Sequence, residues 1–189
     1  MIIVGVGAGA GMLTEEGMRR VRAARVLYGS VRALELVRGY AAAGAELIEI
    51  TDYKALRSLP EDAVVLSTGD PLMAGLGYLP GEVVPGISSM QVAFARLKVS
   101  WTNVAVVNAH GKDHAAAVRR AVMDVAAGHV VFVIADPEFS VAELAAALLP
   151  ETRIAVCEDL GYASERVAEG TGAEPPEVRS RLFSVVAGY

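Results

Sequence analysis

Ser67-Thr68-Gly69-Asp70-Pro71-Leu72-Met73-Ala74-Gly75-Leu76-Gly77, followed after a short link by Glu82-Val83-Val84-Pro85-Gly86-Ile87-Ser88-Ser89, decides how the rest of the chain is read. Each half is an apolar run that stops in glycine, proline and small polar residues. The second half then passes into apolar residues at helical spacing, from Ile87 to Leu97. In an open α/β sheet this is how a strand delivers a ligand-binding loop at its carboxyl edge. Two such loops close in sequence, on strands that could be neighbours, would form one cleft.

Outward from that stretch, strands alternate with helices. Met1 to Val6 reads as a buried strand closed by Gly5-Val6-Gly7-Ala8-Gly9-Ala10-Gly11, with Thr14 as the cap of the next helix. Strands are expected at Arg25–Tyr28, Ala45–Ile50 and Ala63–Leu66, and a helix begins at Ser30. Lys98 to Asn103, with Trp101 in its middle, breaks the rhythm. That break places a boundary between a first domain, 1–100, and a second, 101–189. In the second, strands are expected at Val104–Asn108, His129–Ala135 and Arg153–Cys157, with helices at 113–126 and after Ser140. Arg166–Glu169 and Leu182–Val186 read as a closing pair. The class is α/β.

Composition narrows the function classes. The chain has 189 residues and is 53% hydrophobic, yet no apolar run approaches the roughly 18 residues that a membrane span needs. The N-terminus has no basic region ahead of its apolar run, so a secretory leader is not expected and a cytoplasmic location is. A net charge of −5 argues against general affinity for nucleic acid or anionic membrane. One cysteine and three scattered histidines give no metal-ligand spacing. Cys157 is expected to pack as a small hydrophobe.

Several motifs admit more than one reading. Gly5-x-Gly7-x-x-Ala10 matches a dinucleotide fingerprint, but no acidic residue ends the second strand to hold a ribose hydroxyl. The glycines could equally serve a tight strand-to-helix turn. Gly69-Asp70-Pro71 could be a plain β-turn, or Asp70 could accept hydrogen bonds from a ligand's ammonium or ribose hydroxyls. Ser88 and Ser89 could be helix caps or could frame free backbone N–H groups. His110, just past a strand, is the best placed titratable group for catalysis, or a loop histidine bonded to backbone. His114 and His129 read as structural.

Taken together, Gly69-Asp70-Pro71-x-x-x-Gly75 and Pro85-Gly86-Ile87-Ser88-Ser89 resemble the tetrapyrrole (precorrin) methyltransferase family. The N-terminal glycine loop resembles that family's Gly-x-Gly-Pro-Gly-Asp loop. Ala95-Arg96-Leu97 with Trp101, Ala109-His110-Gly111-Lys112 and Cys157-Glu158-Asp159-Leu160-Gly161 are similar to its C5-methylating branch in cobalamin biosynthesis. The chain departs from the pattern at Ala8 (proline in the family), at Ala10 (aspartate) and at Lys112 (arginine in that branch), and its first loop is a residue short. Leu76 stands where uroporphyrinogen-III enzymes carry arginine, which points away from that substrate.

The resemblance implies two α/β/α domains with S-adenosylmethionine bound in a cleft between them, a homodimer, and methyl transfer to C5 of a (cobalt-)precorrin. It implies cofactor contacts from Gly7, Ala8 and Gly9, from Gly69, Asp70 and Met73, from Ser88 and Ser89, and from Ile134, Ala135 and Leu160. Lys112 and Arg96 would meet the substrate's carboxylates, and His110 would be the catalytic titratable group. A separate C15-methylating, decarboxylating enzyme would be a partner. Another acceptor (a different precorrin carbon or diphthamide) and a nucleotide-binding module without turnover remain as alternatives.

Overall fold

The computed structural model describes residues 1–111 and 113–189. The chain divides into two compact units, Met1–Ser89 and Met90–Tyr189. The division falls earlier than the boundary expected near Trp101, and residues 90–100 belong with the second unit. Their tie there is α3 (Ser89–Leu97), whose Phe94 ring lies 6.3 Å from that of Phe132.

The first unit is built on a parallel sheet. Its strands are β1 (Ile2–Gly5), β2 (Val26–Gly29), β3 (Glu46–Glu49), β4 (Val64–Ser67) and β5 (Glu82–Val84), in the order β3-β2-β4-β1-β5. The interior strands β1, β2 and β4 are short and apolar on both faces, as a sheet covered on both sides requires, whereas the edge strands β3 and β5 carry exposed glutamates. Val4, Leu27, Val64, Leu66 and Val84 face α1 (Glu15–Ala23) and α2 (Val31–Val37), which contribute Val21, Ala33, Leu34 and Val37. Ile3 and Val65 point the other way, onto Ile50, Leu79 and Leu56 of a 3₁₀ turn at Ala55–Ser58. Thr14 caps α1 by accepting from the Gly17 N–H at 3.1 Å, and Ser30 caps α2 through Ala33.

β4 and β5 are not neighbours; β1 lies between them, paired in parallel with both. The loop after β1 therefore sits between the two loops that the sequence singled out. All three leave the same carboxyl edge.

The second unit has a mixed sheet, β6-β7-β10-β8-β9, from β6 (Val104–Asn108), β7 (Val130–Ile134), β8 (Arg153–Glu158), β9 (Arg166–Thr171) and β10 (Phe183–Ala187). α4 (His114–Ala126) and α5 (Val141–Ala147) pack on one face against Val107, Val131, Val133, Ile154, Val156 and Val185. Phe132 points to the opposite face, toward Phe94. The closing strands β9 and β10 do not pair with each other: both pair with β8, antiparallel, one on each side. Cys157 is buried, and burial pushes its thiol up to about 12, so it packs as the expected hydrophobe. Among the described residues no helix is long and apolar enough to cross a membrane.

Candidate functional site

In the first unit three loops lock together at the carboxyl edge. Gly7 and Gly69 exchange backbone hydrogen bonds, 3.2 Å from the Gly7 N–H and 2.8 Å from the Gly69 N–H. The Ala8 N–H donates to the Ile87 carbonyl at 2.9 Å, so the first loop is sewn to both others. Gly86 fits only as glycine: a Cβ there would stand 2.2 Å from the Gly69 carbonyl oxygen and 2.8 Å from the Gly5 Cα. Gly69 itself has φ +67, with only the Ser88 Cα within reach of an added Cβ, at 3.8 Å.

Asp70 fastens this arrangement. One carboxylate oxygen accepts from the Leu72 N–H at 2.8 Å, the other from the Gly86 N–H at 3.1 Å. The aspartate thus shapes its own turn and holds the proline–glycine loop, and any ligand donor must use the lone pairs that remain. Ser67 does similar work below it: its buried hydroxyl accepts from the Leu76 N–H at 3.3 Å, and Gly75 leaves room for that hydroxyl. Gly7, Ala8, Gly9 and Ser88 are buried, whereas Gly69, Asp70, Met73 and Ser89 are partly open. Of these expected contacts, Gly7, Ala8, Gly69 and Asp70 lie on loops that hydrogen bonds join to one another.

The second unit presents a carboxyl edge of its own. Ile134 ends β7 with Ala135 just past it, and Leu160 lies just past β8, buried. β10 runs between those strands, with Ser184 directly opposite Ile134 on one side and Cys157 on the other. Ser184 is 4% exposed, and its hydroxyl has no hydrogen-bond partner among the described residues. An unpaired buried hydroxyl costs about 1–3 kcal/mol. Ser184 lies beside Ile134, at the carboxyl end of β7. The sequence reading missed it, because a serine inside an apolar strand carries no signal of its own.

The turn after β6 brings together His110, Gly111 and Asp136. His110 Nδ1 lies 3.4 Å from the Ala135 carbonyl oxygen, and the His110 N–H donates to Asn108 Oδ1 at 3.0 Å. Asp136 accepts from the Gly111 N–H (2.8 Å), from the Glu138 N–H (2.9 Å) and from His114 Nε2 (3.0 Å). The Gly111 hydrogen bond foremost, against an opposing desolvation and with His114 and Glu138 adding to it, holds the Asp136 carboxyl at about 2. Asp136 is the second residue that sequence reasoning missed; its only signal was the turn-forming Asp136-Pro137 pair.

Of the expected substrate cations, Lys112 lies outside the described residues. Arg96 forms an ion pair with Glu165, whose other oxygen accepts from the Gly161 N–H at 2.7 Å. A substrate carboxylate would compete with Glu165 for that guanidinium. Among the described residues no cluster of histidine, cysteine and carboxylates could hold a metal ion.

In the first unit, loops of parallel strands tied by glycine contacts at one carboxyl edge are the arrangement in which open α/β sheets present ligand loops. The model of the tetrapyrrole (corrin/porphyrin) methylases matches residues 1–176, and the chain belongs to that family. It is 30% identical to a probable cobalt-precorrin-7 C(5)-methyltransferase of Methanocaldococcus jannaschii, over 88% of this chain and 86% of that one. The crystal structure of a cobalamin-biosynthetic precorrin-6Y methylase (cbiE) from Archaeoglobus fulgidus is 30% identical and superposes with a TM-score of 0.75, covering 98% of this chain and 96% of that one. A precorrin-6Y C(5,15)-methyltransferase [decarboxylating] of Mycobacterium tuberculosis is 29% identical over the whole of this chain, which spans only 52% of that protein.

Proposed function

We propose that the chain methylates C5 of a cobalt-precorrin, with S-adenosylmethionine as donor. The observation that carries this reading is the glycine-tight seam of Gly5, Gly69 and Gly86 at one carboxyl edge, in a chain 30% identical to a probable cobalt-precorrin-7 C(5)-methyltransferase. A uroporphyrin-III C-methyltransferase from Thermus thermophilus, alike in fold at 20% identity and a TM-score of 0.70, has been crystallised with S-adenosyl homocysteine.

The residues present fit such a donor. The first unit would meet its methionine and ribose portion through Gly69, Asp70, Met73, Ser88 and Ser89, with Gly7, Ala8 and Gly9 alongside. In the second unit Ile134, Ala135 and Leu160 supply apolar contacts for the adenine, and the orphan Ser184 hydroxyl offers it a hydrogen bond. When bound, S-adenosylmethionine supplies a methyl group already activated by the adjacent positive sulfur. The chain's own task is therefore alignment, which can lower a barrier by roughly 7–11 kcal/mol. No strong base is needed to activate an electron-rich bridging carbon. Substituting its hydrogen does release a proton, for which His110 is the acceptor. Lys112 and Arg96 are assigned to the peripheral carboxylates of the macrocycle.

We further propose a cytoplasmic homodimer whose C5 methylation is paired with a C15-methylating activity. The Mycobacterium relative, named for both positions and about twice this length, supports that pairing. The first test is calorimetry with S-adenosylhomocysteine, followed by transfer of labelled methyl to cobalt-precorrin-7, with the product's new carbon located by NMR. Binding should weaken roughly 2–10-fold in Ser184→Ala, the loss of one neutral hydrogen bond. Methylation at another carbon would refute the C5 assignment. Binding with no turnover on any precorrin would instead favour a nucleotide-binding module.

A further inference from the structure

β6 and β7 stop pairing as strands at Asn108 and Ile134, yet the two segments stay joined beyond that point. The Ala109 N–H donates to the Ile134 carbonyl at 2.9 Å. The His110 ring then takes the next rung, Nδ1 to the Ala135 carbonyl, and the Gly111 N–H takes the third, on Asp136 Oδ2. Gly111 reaches it in a left-handed conformation, φ +61. His114 Nε2 meets the same Oδ2 from the first turn of α4, its ring edge-on to Phe139 with 5.6 Å between centroids.

The two oxygens of Asp136 have different jobs. Oδ1 accepts from the Glu138 N–H and so shapes the turn that Asp136 itself begins. An asparagine would do that equally well. Oδ2 serves the other segment, accepting at once from Gly111 and His114, and acceptance at both oxygens is what calls for a carboxylate, since an amide would turn its NH2 toward one set of donors.

We propose that Asp136, seconded by His114, is the positioning residue for His110. By fixing Gly111 it lays the preceding ring on the Ala135 carbonyl. A carbonyl can only accept, so Nδ1 carries the ring proton and Nε2 presents its lone pair. Resting on the C5 reading above, Nε2 is the atom that takes up the proton shed by the methylated bridging carbon. There the C–H bond breaks, its electron pair returns to the macrocycle, and an Nε2–H bond forms. His110 is the catalytic residue in this arrangement, and Asp136 acts only through it.

The test uses the full chain with 15N-labelled histidine, its His110 signals assigned with His110→Gln. At a pH where the ring is neutral, wild type should show the Nδ1–H tautomer. Asp136→Asn should shift His110 toward a mixture of tautomers and speed exchange of the Gly111 amide by about tenfold or more. His114→Gln, which keeps a donor for Oδ2, should stay near wild type, and His114→Ala should fall between. In methyl transfer Asp136→Asn should lose roughly tenfold or more in kcat, with KM for the methyl donor within about twofold. An unchanged His110 tautomer and Gly111 exchange in Asp136→Asn would overturn the proposal, as would a changed tautomer with kcat intact. Should Asp136→Asn not fold, His114→Ala decides through the same two signals. If wild type methylates no precorrin, the C5 reading falls while the nitrogen shifts still decide the clamp.

Discussion

At the scale of single residues, the first unit's site rests on places where no side chain fits. Gly86→Ala would drive a methyl group into the Gly69 carbonyl and the Gly5 backbone, neither of which is the end of a flexible side chain. The expected cost is about 1–3 kcal/mol or more, read as a lower urea midpoint, with loss of S-adenosylhomocysteine binding. Asp70→Asn should cost roughly 1–3 kcal/mol, since its amide must turn an N–H toward either Leu72 or Gly86. Asp136 gives a pH signature. Its carboxyl sits at about 2, below the ordinary 3.8, so its contribution is complete at neutral pH and fades as pH falls toward 2. The stability difference between wild type and Asp136→Asn should therefore be flat above about pH 5 and shrink below it. Asp70 was legible in Gly69-Asp70-Pro71, but its use of both oxygens on backbone was not. That depends on where Gly86, sixteen residues away, comes to rest.

Elements were read more reliably than their partners. Alternating apolar runs and caps such as Thr14, Ser30 and Ser140 place the strands and helices, because both signals are local. Pairing is not local. β1 separates β4 from β5, and β8 separates β9 from β10, which no periodicity announces. The segment leading into β10 is held by Glu158 at the end of β8. Glu158 is 1% exposed and accepts from Arg166 Nη1 at 2.6 Å, from the Ser180 N–H at 2.8 Å and from the Arg179 N–H. Burial alone would raise its carboxyl, but the Arg179, Arg166 and Ser180 donors outweigh that and lower it. Arg166→Leu would leave a buried charge with backbone donors only, and should destabilise by about 3 kcal/mol. The Glu158 carboxyl then rises, so protonation favours the folded variant, and its deficit against wild type should narrow as pH falls. Thermal melts of both proteins across an acid pH series check the sign.

For the whole molecule, each unit carries a core of its own, Val4 with Leu27, Leu66 and Val84 in one and Val131 with Leu144, Val156 and Val185 in the other. Damage to one core is expected to stay in that unit. Native-state hydrogen exchange on Gly86→Ala should show faster amides in β1, β4 and β5, with those of β7, β8 and β10 as slow as in wild type. The amino-acid sequence by itself determined the α/β class, the strand-end loops and the family, because glycine, proline and apolar spacing act over a few residues. Only the tertiary structure decided that β1 stands between the strands that carry the two signature loops, that Asp70 is a latch, that Asp136 joins the turn after β6 to the end of β7, and that the Ser184 hydroxyl is left unpaired. Those facts arise from hydrogen bonds, made or left unmade, between segments distant in the chain, and such contacts exist only once the sheets have formed.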